Sequence, residues 1–203
     1  RHSGSSPCGN GDSPDSTWTA SGMPAYTEGA LYWMQWAGAD STLLDLHEGD
    51  YTADFAERGA WVDWMSGGSR TNPGKDGLGI PVDMSFAFHS DAGTFPGDSI
   101  VGTLAIYTLL CDGKDKLPNG ESRWQGRMLA DFVQTQIVDD IRTVYNPRWT
   151  RRGTWDRSYS ETRTTTVPGM LLEMLSHQNF EDMKHGLDPS FRFAVSRAAY
   201  KGI

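Results

Sequence analysis

The sequence predicts an α/β fold, a mainly parallel or mixed sheet with helices on both faces. Three observations predict it. Apolar runs of strand length lie at residues 80–89, 100–111 and 167–175. Stretches with helical periodicity lie before and between them. Two of the runs finish in residues that carry chemistry, His89 and Glu173, and the ends of strands are where α/β proteins place ligands. With 203 residues the chain is long enough for one domain with a sizeable core. Hydrophobic residues make up only 37%, but eight Trp, eight Phe and seven Tyr compensate, because each aromatic buries a large area.

Residues 1–22 are rich in Gly, Ser, Pro and Asp and read as an irregular loop. Pro24 to Ala37 reads as a helix, with Pro24 at its start, Ala30, Leu31, Met34 and Ala37 at helical spacing, and Gly38 as a stop. Glu28 falls in its first turn. Asp50 to Met65 is a second helix, with Phe55, Val62 and Met65 on one face. A Gly/Pro/Asn loop over 67–79 leads into a strand from Ile80 to His89. Ile100 to Cys111 is apolar and β-branched, a neighbouring strand. Glu121 to Tyr145 is the clearest helix, with Trp124, Met128, Phe132, Ile137, Ile141 and Val144 along one stripe that Leu129, Val133 and Val138 widen, and Asn146-Pro147 ends it. Residues 148–168 are polar and Arg/Thr-rich. Val167 to Leu175 is a short strand, Phe180 to His185 a short helix, and Asp188 caps a last helix that has Pro189 at its first position. Three strands are few for a doubly covered sheet, and the chain begins at Arg1 without an initiator Met. The expectation is a single domain over 1–203 that lacks its N-terminal strand.

The formal net charge is −8, which argues against nucleic acid as the partner. Arg148, Arg151, Arg152 and Arg157 are a local exception, suited either to an anionic substrate or to carboxylate pairing. Cys8 and Cys111 permit one disulfide, but their spacing does not require it, and neither lies in a metal-type pair. No apolar run approaches the roughly 20 residues needed to span a bilayer.

The stretch Asp83-Met84-Ser85-Phe86-Ala87-Phe88-His89-Ser90-Asp91 ends a core strand in an imidazole and a carboxylate. Glu173 sits inside the apolar run Met170-Leu171-Leu172-Glu173, where a carboxylate is costly unless it binds something. In a parallel sheet strand ends share one edge, so His89 and Glu173 can meet there, and a helix-start Glu28 can reach the same edge. One His, one Glu and a further ligand suit zinc, and the remaining carboxylate suits a general base. Bland roles compete at each position: a hydrogen-bonded His89, a Glu173 paired with an arginine, a Glu28 placed by the helix dipole. Asp91 either orients His89 or bonds the following turn. His177 reads as a helix cap ahead of a ligand, and His47 and His185 as surface loop residues.

These motifs resemble those of zinc-dependent N-acetylmuramoyl-L-alanine amidases of the amidase-3 type. More closely they resemble the divergent golvesin-associated, xanthan lyase-like proteins of Bacteroidetes. Asp83 to Asp91 is similar to the family's strand ending in Ser-Ile-His-Ala-Asn, which makes His89 a zinc ligand. Val167-Pro168-Gly169-Met170-Leu171-Leu172-Glu173 is similar to its Pro-Ala-Val-Leu-Val-Glu strand, which makes Glu173 the catalytic Glu. Ser176-His177-Gln178-Asn179 stands for its Leu-Ser-Asn segment, and Arg152-Gly153 for an Arg-Gly after the long helix. Glu28 matches a second zinc ligand. The family's first ligand lies in a Gly-His-Gly-Gly loop that this chain lacks, and His2, in Arg1-His2-Ser3-Gly4, is the one histidine upstream of Glu28.

The resemblance implies an amidase/phosphorylase-like three-layer architecture and one zinc ion held by His89, Glu28 and His2. Glu173 would then be the base, and Arg152, Asp91 and His177 would bind substrate. It implies peptidoglycan or a related glycan as partner, and a secreted, periplasmic or cell-surface monomer or part of a multidomain chain. Trp149 and Trp155 would either stack on sugar or pack internally. Two other functions stay open. One is a non-catalytic cell-wall- or polysaccharide-binding relic of the fold. The other is a polysaccharide lyase of the xanthan type, using His89 or Tyr159 with Arg152.

Overall fold

The computed structural model describes residues 22–44, 47–92, 99–110 and 113–203. His2, Cys8 and Cys111 lie outside the described residues. The sheet has four strands in the order β1-β4-β2-β3: β1 is Ser85–Asp91, β2 Thr103–Tyr107, β3 Arg151–Asp156 and β4 Gly169–Ser176. β1 runs parallel to β4 and β2 parallel to β3, while β2 and β4 are antiparallel. The sheet is therefore mixed, with helices on both faces.

One face carries the larger core. Ala105, Tyr107, Met170, Leu172 and Met174 pack there against Leu129, Val133, Ile137 and Ile141 of α4 (Trp124–Val144) and Phe191, Val195 and Ala198 of α7 (Pro189–Gly202). Of the stripe read from the sequence, Leu129, Val133, Ile137, Val138 and Ile141 are buried, while Trp124, Met128, Phe132 and Val144 are exposed. α6 (Phe180–Gly186) begins at Asn179, whose side chain accepts from Asp182 N, and α7 begins at Asp188, whose side chain accepts from Ser190 N. The opposite face holds Leu104, Ile106 and Leu171 with Ala87 and Tyr159. It is covered from the one-turn α5 (Ser160–Arg163), which packs on α3 (Asp50–Ser66). Beyond α3 lie α1 (Ala30–Trp36) and α2 (Ser41–Leu44), joined to it through Leu31, Met34, Leu44 and Ala53.

Several expectations are corrected. The helix from Pro24 breaks, because Gly29 is extended (φ −129°, ψ 138°) and is the N-cap of α1; only a 3-10 turn, Ala25–Thr27, precedes it. The strand from Ile80 starts at Ser85 instead. Leu78 N and Ile80 N donate to Trp64 O and Met65 O at the end of α3, so this segment is tied to the helix, and Pro81 has no N–H for a ladder. The polar stretch 148–168 contains β3 and α5. β3 is an edge strand and only partly buried, so it lacks the apolar run that marks a central strand. His185 lies in α6 rather than in a loop, with its ring 5.3 Å from that of Trp149.

Buried polar groups lock the sheet. Asp182 is fully buried and accepts from Val101 N (2.9 Å), Gly102 N (3.1 Å) and Ser176 N (2.8 Å). It thereby joins the start of β2 to the end of β4. Gln134 Nε2 donates to Thr103 O (2.9 Å) and Arg152 O (2.8 Å), tying α4 to β2 and β3.

Candidate active site

The parallel pairing of β1 with β4 sets His89 directly opposite Glu173. Side chains paired in this way leave the sheet on the same face, here the face under α5. Antiparallel pairing puts Leu104, at the start of β2, on the other side of Glu173. The start of β3 follows, and its Arg152 Nη1 donates to Asp91 Oδ2 at 2.7 Å. His89 and Asp91 stand two apart on β1 and so share a face, and the register shift between them leaves the extra residue on β4.

Glu173 is 5% exposed, and its Oε2 has no hydrogen-bond partner. Burial pushes its carboxyl up to about 7, opposed by His89 and Arg152 and reinforced by Asp91 and Glu161. Such a group exchanges a proton near neutral pH, as a general acid or base must. Glu161, on α5, faces the same site. Burial pushes it up, but the hydrogen bond and charge of His89, together with Arg58, outweigh this and hold it below the usual carboxylate range. Its Oε1 lies 2.9 Å from His89 Nε2 and 2.8 Å from Arg58 Nη1. Arg58 Nη2 in turn donates to Asp54 Oδ2 at 2.6 Å. Tyr159 is pushed up by burial and by the negative charge of Glu173 and Asp91. A cavity of about 460 Å³ lined by Arg58, Trp61, Phe86, Ala87, His89 and Glu161 opens onto the cluster.

The structure thus brings together His89, Glu173, Asp91 and Arg152 from the sequence reading. Glu28 is exposed and ends the 3-10 turn, two residues before Ala30, which lines the same cavity as His89. His177 borders the cluster: its backbone N donates to Asp91 O at 3.1 Å. Its Nδ1 is 3.0 Å from Ser90 Oγ, and with His89, Phe88 and Met174 it lines a second cavity of about 370 Å³. It does not cap the next helix, a role that Asn179 takes. Arg58 and Glu161 were not legible as site residues. Arg58 is one charge on an amphipathic helix, and Glu161 lies among Ser and Thr in a stretch with no period. Trp149 is fully buried and donates from Nε1 to Thr103 Oγ1, so it packs rather than stacks on ligand.

Among the described residues no three His, Cys, Asp or Glu side chains converge on one point. His89 Nε2 meets Glu161, and the Arg58 guanidinium lies 3.4 Å from it, a cation where a metal would bind. The described residues alone do not fit a zinc site. Among the described residues no helix is long and apolar enough to cross a membrane.

No family model matches the chain. No curated protein matches it either. Its fold is similar to that of an N-acetylmuramoyl-L-alanine amidase from Clostridium difficile 630, with a TM-score of 0.51 and 15% identity over 72% of this chain and 61% of that one. It is likewise similar to the CwlD amidase of Clostridioides difficile, solved in complex with the GerS lipoprotein, with a TM-score of 0.50 and 16% identity over 75% of this chain and 61% of that one. The chain spans about three fifths of the length of each. At such identity the likeness establishes a shared fold: this chain has the α/β fold seen in N-acetylmuramoyl-L-alanine amidases.

Proposed function

We propose that the chain is an amide hydrolase acting on peptidoglycan, similar to an N-acetylmuramoyl-L-alanine amidase and working at the cell wall. The observation that carries this reading is Glu173, a buried carboxylate with an unpartnered oxygen and a pKa raised to about 7, beside His89. The shared fold supports it. Glu173 takes a proton from the attacking water and delivers it to the leaving amine. Arg152 and Asp91, paired beside it, would bind substrate. The experiment is cleavage of muropeptides with analysis of the freed peptides. Glu173→Gln lowers kcat by about a hundredfold or more, and His89→Ala also loses activity. Intact muropeptides after prolonged incubation with the wild type would refute the proposal.

We further propose one zinc ion, held by His89, Glu28 and His2, as the resemblance implies. The reading of Glu173 does not depend on it. Metal analysis of the purified protein tests it: stoichiometric zinc, lost in His89→Ala, is expected, and a metal-free protein with full activity overturns it. One observation favours a second reading, a non-catalytic glycan-binding relic of the fold. It is the Arg58 cation beside His89 Nε2. Muropeptide binding without cleavage would establish that reading.

A further inference from the structure

The second cavity, of about 370 Å³, falls within the size range of small-molecule sites. It lies on the face of the sheet away from Glu173. Phe88 stands two residues from Phe86, which packs against the core under α4, and Met174 follows Glu173 on β4, so both leave the sheet on that other face. The floor of the cavity is apolar: Met174, Leu175, Phe191 and Val195 line it, each at most 6% exposed. Met183 of α6 adds a second thioether, a side chain that adapts to an irregular occupant. The rim is polar, formed by the exposed residues Ser90, His177, Arg192 and Ser196. Arg192 and Ser196 stand one turn apart on α7, and Ser196 Oγ donates to Arg192 O at 3.0 Å. Arg192 makes no ion pair among the described residues, and the described lining holds no Asp or Glu. An unpaired guanidinium thus borders an apolar chamber.

We infer that this cavity is a binding site for an aliphatic carboxylate, with the hydrocarbon chain on the floor and the head group on Arg192. A guanidinium takes a carboxylate in a bidentate pair, and the hydroxyls of Ser90 and Ser196 can donate to the same head. The floor has no polar side chain, so a peptide or sugar seated there would leave its polar groups unpaired, whereas a hydrocarbon chain would not. The site goes beyond the proposed hydrolysis, because its floor faces away from Glu173. Phe88 and His89 line this cavity and the one under α5 alike, so a chain seated here packs against the strand that carries His89.

The test is binding to the whole chain labelled at its methionine methyl groups. The Met183 methyl resonance is assigned by its absence from Met183→Leu. It is then followed during titration with octanoate, hexanoate and octylamine. The expected result is a shift that saturates with octanoate below about 10 mM. Hexanoate, two methylenes shorter, binds about tenfold more weakly, and so does octylamine, whose head has the wrong charge. Arg192→Gln weakens octanoate about tenfold. Ser196→Trp, at an exposed rim position, fills the entrance and abolishes the shift. No saturation with octanoate, equal binding of octylamine, no dependence on chain length, or an affinity unchanged by Arg192→Gln overturns the inference. So does tighter binding of N-acetyl-leucyl-leucine than of octanoate, which would make the occupant a peptide terminus.

Discussion

The raised carboxyl of Glu173 makes the stability of the fold depend on pH in a definite direction. The ordinary value for the side chain is 4.5, and burial brings it to about 7 in the folded protein. Between those values the folded state holds a proton that the unfolded chain has released. Stability therefore falls as pH rises through this window. At about 1.4 kcal/mol for each pH unit between the two values, the charged form costs the fold on the order of 3 kcal/mol above pH 7. Below the unfolded value the cost is absent. Glu173→Gln keeps the shape and removes the titration. Any fixed cost of the amide is the same at every pH, so the difference in stability between variant and wild type is the quantity that matters.

Urea unfolding of both proteins at steps from pH 4.5 to 8.5 measures it, with equal m-values confirming that the same surface is exposed. The variant gains on the wild type by about 3 kcal/mol across the series, with most of the change between pH 5 and 7.5. The groups facing Glu173 are His89 and Asp91 on β1, Arg152 on β3, and Tyr159 and Glu161 at α5. They are present in both proteins, so their titrations largely cancel. Parallel curves would refute the reasoning, because Glu173 would then titrate as an ordinary carboxylate. A variant that loses ground as pH rises would mean that His89 and Arg152 dominate and that Glu173 is a held anion, unsuited to a base near neutrality.

Two further substitutions test the frame around the site. Glu161→Gln leaves Arg58 and His89 without their shared buried carboxylate; it lowers stability by about 2 kcal/mol, below the roughly 3–5 kcal/mol of a fully buried broken pair because Arg58 is partly exposed, and urea unfolding at pH 7 checks this. Asp182→Ala strands the N–H groups of Val101, Gly102 and Ser176. It costs about 3 kcal/mol or more, with faster amide exchange at those three positions, and a loss below about 1 kcal/mol would show that another acceptor replaces the carboxylate.

The frame of the site was legible where chemistry interrupts an apolar run. Glu173 inside Met170-Leu171-Leu172 and His89 at a strand end are costly placements, and the pairing of β1 with β4 sets them side by side. What the sequence hid is topological. Had all four strands run parallel, the start of β3 would lie at the edge opposite Glu173, and Arg152 would be remote from Asp91. Because β2 runs antiparallel to β4, the ends of β1 and β4 meet the starts of β2 and β3. One edge then collects an acid and an imidazole from strand ends and an arginine from a strand start. Strand direction leaves no local mark in residues such as Thr103 or Arg151, whose propensities are the same either way. The same geometry accounts for the missed Glu161. Its position follows from where a single helical turn crosses the sheet, and a four-residue element has no period to read. The arginines in and just after β3 were legible as charge and ambiguous as function. The structure divides them by partner: Arg151 meets Asp131 and Arg152 meets Asp91, while Arg157 is left at the Trp155 ring. A guanidinium with a carboxylate already in hand stabilises the fold or orients a neighbour, and one without is available to a ligand. That difference, set by tertiary contacts alone, turns an arginine-rich segment into a directional feature leading away from Glu173.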